Sequence, residues 1–198
     1  MNGEEKSLII KAKRGDIEAF EQLIEIYQKK VFNIALRMIG NYEDANDMAQ
    51  EVFIRVFRSL KDFKEQSTFS TWIYRITTNV CLDEIRKRKN KKVVYIDEDV
   101  KNDDGEIKRQ VESDDPTPEL VAEKNYVKQV VNEAINMLSE EHRTVIVLRD
   151  IQGFSYEEIA KITKCPEGTV KSRINRARHA LKDILSTKKE LFNEDYVK

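Results

Sequence analysis

The chain has 198 residues, of which 36% are charged and 40% apolar, with six glycines and three prolines. That length suits one or two domains with their own cores, and that composition excludes collagen-like, low-complexity and disulfide-dependent miniprotein classes. A net charge of −1 argues against a generic nucleic-acid binder, but the average hides two mildly basic blocks, residues 1–92 at +4 and 124–198 at +3, around a connector, 93–123, at −8.

Gly15 ends a short first helix and Asp16 caps the second, whose apolar positions Phe20, Leu23, Ile24, Tyr27, Val31, Ile34, Ala35 and Met38 keep helical spacing until Gly40. A third helix, from about Glu43 to Leu60, carries Ala45, Met48, Ala49, Val52, Phe53, Val56 and Phe57 on one stripe. A fourth opens near Ser70 and runs into RKRKNKK, Arg86 to Lys92, which holds six bases in seven residues. From Val93 to about Glu119 periodicity is lost, acids dominate, and Pro116 and Pro118 oppose a continuous helix, so a flexible linker is expected. Four further helices follow. The first runs through Val127, Val130, Val131, Ile135 and Leu138, and the others span Ser139 to Ile151, Ser155 to Thr163 and Pro166 to about Leu185. Ser155 and Glu158 make a capping box, and Pro166 sits where a first-turn proline is favoured. The expected fold is all-α: two small helical domains, 1–92 and 124–198, joined by a flexible acidic linker.

The last two helices, joined by the tight segment KCPEG, have a helix-turn-helix layout. At about 100° per residue, Val170, Ile174, Ala177 and Leu181 share one arc and must pack inward. Ser172, Asn175, Arg176 and His179 then face outward, flanked by Lys171 and Lys182. Arginine can pair bidentately with guanine and asparagine with adenine, and the hydroxyl and the other bases suit phosphates. Five bases and no acid lie between Lys171 and Lys182, whereas an ordinary surface helix would intersperse Glu for i,i+4 pairing.

In the fourth helix Trp72, Arg75, Asn79, Asp83 and Arg86 fall in one arc of about 80°, beside a core face of Ile73, Ile76 and Val80. An aromatic, an amide and two guanidiniums on one face can hold unstacked bases, each stacked base contributing about 1–3 kcal/mol. Phe69, Trp72 and Tyr74 are equally explained as core aromatics at a helix start.

Three strings carry a family resemblance: DANDMAQEVFIRVF (Asp44 to Phe57), STFSTWIYRITTNVCLDEIRKRK (Ser67 to Lys89) and LSEEHRTVIVLRDIQGFSYEEIAKITKCPEGTVKSRINRARHAL (Leu138 to Leu181). They resemble the extracytoplasmic-function class of bacterial RNA polymerase sigma factors, of a sigma-W-like kind. The resemblance implies that the first string binds core polymerase, with Asp47, Gln50 and Glu51, beside Asp44 and Phe53, on the clamp helices of the largest subunit. It implies that the second reads and melts the minus-ten element through Trp72, Arg75, Asn79, Asp83, Arg86 and Lys87. Asn79 and the segment Asp62 to Ser67 would line a pocket for a flipped base. The third string would read the minus-thirty-five element through Lys171, Ser172, Arg173, Asn175, Arg176 and His179, and its domain would meet the flap of the second-largest subunit. The resemblance also implies an anti-sigma partner.

Two half-sites two helical turns apart lie roughly 70 Å from each other, and a nearly extended connector of 31 residues reaches up to about 100 Å. Its acids suit a positively charged channel in the polymerase, and in the free protein they could mask both basic faces. A stand-alone helix-turn-helix activator is the competing reading, but the N-terminal block lacks the alternating strands of a phosphoacceptor domain. No phosphate loop or Ser/His/Asp pattern suggests an enzyme, so no catalytic residues and no cofactor are expected. Cys81 and Cys165, 84 positions apart without a CxxC pair, suggest neither disulfide nor metal. The longest apolar run, Val145 to Leu148, is four residues against the roughly 20 of a membrane span, and the acidic N-terminus is unlike a signal peptide. A cytoplasmic protein with no membrane insertion is expected.

Overall fold

Side-chain caps start the helices where the sequence supplies them. In the computed structural model, Asp16 accepts from the Ala19 amide at 3.0 Å and starts α2, and Asn41 accepts from the Asp44 amide at 3.1 Å and starts α3. The structure describes residues 3–94 and 118–193, with side chains for 3–89 and 126–187. Among them the N-terminal domain comprises α1 (Gly3–Lys13), α2 (Ile17–Ile39), α3 (Tyr42–Ser59), a 3-10 turn (Leu60–Asp62) and α4 (Phe69–Val94). The C-terminal domain comprises α5 (Pro118–Met137), α6 (Glu140–Ile146), one π-helical turn (Val147–Ile151), α7 (Tyr156–Thr163) and α8 (Glu167–Asn193).

The linker expected over Val93 to Glu119 is shortened at both ends, because α4 continues to Val94 and α5 begins at Pro118. A proline at the first helical position loses no intrahelical bond, since its amide would be unpaired there anyway. The rest of that segment, 95–117, lies outside the described residues. The helix expected from Ser139 to Ile151 is broken in type: Ser139 caps it, but its last five residues form the π turn.

Leu23, Val31, Ile34, Ala35 and Met38 of α2 pack with Ala45, Val52 and Val56 of α3 and with Ile73, Val80 and Cys81 of α4, all fully or almost fully buried. The second core joins Ile135, Val145, Ile146, Leu148, Ile159, Ile162, Val170, Ile174 and Ala177. Each large side chain so buried contributes about 1.5–3 kcal/mol. Phe57, expected on the inner stripe of α3, is instead 52% exposed; an apolar arc that reaches from Ala49 to Phe57 is wider than the face the bundle covers.

The two cores form one continuous apolar cluster. Tyr74 of α4 meets Phe154 edge to face at 5.2 Å, and Lys30 of α2 lies 4.2 Å from the Phe154 ring centre. Arg143 of α6 is buried and donates to the Met38 carbonyl at 2.8 Å and to the Asn136 carbonyl. Burial pushes its pKa below the ordinary arginine value, opposed by the Glu140 charge. At Gly40, where φ is +86°, an added Cβ would collide with the Asn136 amide, so α2 ends on glycine for both backbone and packing reasons. This seam is imperfectly satisfied: Arg75 Nε, Asn136 Oδ1 and Arg143 Nε are buried without hydrogen-bond partners among the described residues. Such a polar atom typically costs about 1–3 kcal/mol.

Candidate polymerase and nucleic-acid interfaces

The outer edge of α3 mixes free and engaged acids. Asp47 and Gln50 are exposed, while Glu51 holds Arg55 at 2.7 Å and Asp44 holds Arg88 at 2.8 Å. The Asp44 hydrogen bond, with help from Glu84, raises the Arg88 pKa, so Asp44 ties the start of α3 to α4. Phe53 is half-buried. The sequence did not single out Ile54, 44% exposed, and misplaced Phe57, which is 52% exposed with its ring edge to face with Phe20 at 5.0 Å. Gln50, Phe53, Ile54 and Phe57 follow one another at helical 3-and-4 spacing, which gives the edge an apolar strip next to Asp47. The i+4 neighbour of each exposed residue was the available signal.

On α4 the arc read from the sequence exists and is open in part: Asn79, Asp83 and Arg86 are exposed, while Trp72 and Arg75 are half-buried. Trp72 is half-buried, with its ring 5.0 Å from Phe63 and 5.5 Å from Phe69, and Phe69 and Tyr74 are buried core aromatics. Asp83 pairs with Arg55 at 3.2 Å. Arg75 donates to the Lys161 carbonyl at 2.5 Å, and Arg86 and Lys89 bracket Glu140 at 2.9 and 3.0 Å. Lys87 is exposed beside Glu84. Asn79 is exposed and opens onto a groove of about 330 Å³ that it lines with Arg55, Arg58, Ser59 and Ile76. The Asp62 to Ser67 segment is not part of that lining.

The helix-turn-helix follows its sequence closely. Ser155 and Glu158 form the reciprocal cap of α7, Lys164 takes the left-handed conformation that ends it, and α8 starts directly after Pro166. Val170, Ile174 and Ala177 are buried and Leu181 half-buried, while Ser172, Asn175, Arg176 and His179 are exposed. Lys171 is exposed and pairs with Glu167 at 2.7 Å. Arg173 departs from the set: it is half-buried, pairs with Glu141 at 3.0 Å and lies 3.6 Å from the Cys165 sulfur. Among the described residues no cluster of His, Cys, Asp and Glu could hold a metal, and no helix is long and apolar enough to cross a membrane.

An exposed acidic and apolar edge on α3, a cationic helix α4 and a helix-turn-helix, carried on two small helical domains, define a bipartite protein of the transcription class. Residues 23–91 match the model described as Sigma-70 region 2, and residues 128–181 match Sigma-70, region 4. The chain is 39% identical over 181 residues to the ECF RNA polymerase sigma factor SigW of Bacillus subtilis, covering 91% of this chain and 96% of that one. It is 35% identical over 184 residues to the RNA polymerase sigma-H factor of Pseudomonas aeruginosa, covering 92% and 94%. The solved structure of the sigma factor RpoE of Bartonella quintana, in complex with the anti-sigma factor NepR, is similar at a TM-score of 0.64 and 28% identity, over 84% of this chain and 96% of that one. The chain belongs to the extracytoplasmic-function family of RNA polymerase sigma factors. The narrower sigma-W-like kind has only slight support in the small difference between 39% and 35% identity.

Proposed function

We propose that this sigma factor binds core RNA polymerase through the outer edge of α3, with Asp47, Gln50, Glu51, Phe53, Ile54 and Phe57 on the clamp helices. The helix-turn-helix domain then reads the minus-thirty-five element while also meeting the flap. On α4, Arg75, Asn79, Arg86 and Lys87 hold the melted minus-ten strand, and the groove beside Asn79 receives an unpaired nucleotide between cationic walls. Trp72, half-buried with its ring against Phe63 and Phe69, supports the same face of α4. The domains carrying these tasks are residues 1–92 and 124–198, with the acidic connector 93–123 between them, and the protein works in the cytoplasm as a stoichiometric selectivity subunit, not as a catalyst.

The observation that carries this reading is the face of α8: Ser172, Asn175, Arg176 and His179 exposed over a buried Val170, Ile174 and Ala177. That pattern supplies base-reading groups with no acid to repel phosphate. An acidic and apolar edge on α3 complements a basic helical partner. By analogy with RpoE, an anti-sigma protein would cover part of these surfaces.

A run-off assay tests the reading. Purified protein with core polymerase should start transcripts from a promoter that core alone ignores, and the triple variant Asp47→Ala, Gln50→Ala, Glu51→Ala should lose core association. Transcription that depends equally on another specificity subunit would favour the activator and overturn this function.

A further inference from the structure

We propose that Lys13, the last residue of α1, is a positioning residue for strand capture: it fastens Phe63 against Trp72 and so sets the aromatic platform at the head of the α4 arc. The inference rests on the reading of α4 as the strand-binding helix given above. It is carried by a hydrogen bond between residues 50 positions apart and by the rings packed behind it.

Phe63 leaves the 3-10 turn in an extended conformation, with its amide donating to the Leu60 carbonyl at 3.1 Å. Its own carbonyl accepts from Lys13 Nζ at 2.7 Å, and the same ammonium lies 5.9 Å from the Phe63 ring centre, within range of a cation–π attraction. Lys13 is half-buried and has no carboxylate partner among the described residues, so its charge serves the Phe63 backbone and ring. The helix that carries it is itself anchored, by buried Ile9 and Ala12 and by the Tyr27 hydroxyl, which donates to Glu5.

Phe63 is buried, with its ring 5.0 Å from Trp72 and 5.6 Å from Phe69. The short segment between Phe63 and α4 is closed at its far end by Thr68. The Thr68 hydroxyl accepts from the Thr71 amide at 3.2 Å, and its carbonyl accepts from the Trp72 amide at 3.1 Å. The near end has only the Leu60 turn, and Glu65 within the segment holds a left-handed φ of +55°, which a residue with a Cβ seldom adopts. Lys13 therefore supplies from α1 the restraint that Thr68 supplies locally. A binding side chain is only as well placed as the residues that pack it. Without the Lys13 bond the Phe63 backbone loosens, the ring against Trp72 moves with it, and the indole loses the orientation that supports a base held by Arg75 and Asn79.

Trp72 is the chain's only tryptophan, so its emission reports the platform in the full-length protein, while holoenzyme reports its use. Lys13→Met and, independently, Lys13→Ala should shift Trp72 emission to longer wavelength and increase its quenching by acrylamide. Lys13→Arg, which keeps a cationic donor, should restore both. The holoenzyme probe is a fork-junction DNA with a single-stranded minus-ten region, taken from a promoter that initiates in the run-off assay. Its binding should weaken about fivefold in Lys13→Met, the low end of the loss of one stacked base, and recover in Lys13→Arg. Binding to a duplex that ends upstream of the minus-ten element should stay the same. Trp72 emission and quenching unchanged in both variants overturn the proposal. Weaker fork binding without a change at Trp72 also overturns it, because Lys13 is then a phosphate contact. A change at Trp72 with fork binding intact does so as well. Asn79→Ala separates the two failures: if that variant too binds the fork like the parent, the reading of α4 falls, and if it binds more weakly while Lys13→Met does not, only the role of Lys13 falls.

Discussion

Cys81 is fully buried among apolar neighbours, and burial pushes its thiol up to about 12. At pH 8 its thiolate fraction is on the order of 10⁻⁴, and the thiolate is the reactive form. Cys165 is only half-buried, within reach of a reagent. Native protein mixed with a thiol-disulfide reagent at pH 8 should therefore release one equivalent quickly and the second only in denaturant; two fast equivalents would contradict the buried position. The same shift makes a stability prediction. The folded pKa lies above the unfolded value, so the contribution is complete below that unfolded value and is lost as pH rises toward about 12. Tyr74, also pushed up to about 12 by burial, acts in the same direction. Urea midpoints should fall across this alkaline range. Cys81→Ala should make the decline shallower, by up to about 1.4 kcal/mol per pH unit.

At the scale of elements, α8 and α3 show what a sequence can and cannot disclose. The apolar face of α8 was legible because one arc, Val170 to Leu181, is narrower than the face it packs against. The capping box of Ser155 and Glu158 was legible because both partners lie within four residues. Arg173 was not, since its partner Glu141 lies in another helix and spacing along α8 contains no information about it. On α3 the apolar arc was wider than the buried face, so Phe57 read as core although half its surface is open. The geometry of the α4 arc was correct, yet periodicity says which side chains share a face and not which domain covers it. These assignments separate by experiment. Ile54→Ser should weaken binding to core polymerase at least tenfold, as expected for an apolar anchor, while changing stability by no more than about 0.5 kcal/mol. Phe57→Ser should weaken binding similarly and lose about 0.5–1.5 kcal/mol from its Phe20 contact. Binding that survives both, measured by titration against immobilised core, would remove the apolar strip from the interface. On α8, Arg176→Ala should reduce promoter affinity with the fold intact, whereas Arg173→Ala should act mainly through stability, by loosening the tie to Glu141.

For the molecule as a whole, a net charge of −1 is the sum of two basic domains and a connector that carries eleven acids and three bases. Charges of that number on a segment attached to both domains create a field that opposes DNA at either one, with a reach of about 10 Å at 0.1 M salt. Replacing the connector's acids with Asn and Gln should raise the affinity of the free protein for both single-stranded and duplex probes. The gain should be at least tenfold at 50 mM salt and should shrink as salt rises, because phosphate contacts become steeply salt-dependent once the repelling charge is gone. Equal affinities for the parent and the neutralised connector on the duplex would mean that the connector's charge does not act on DNA in the free protein. The near-neutral balance of the chain would then have no bearing on how the unbound factor binds DNA.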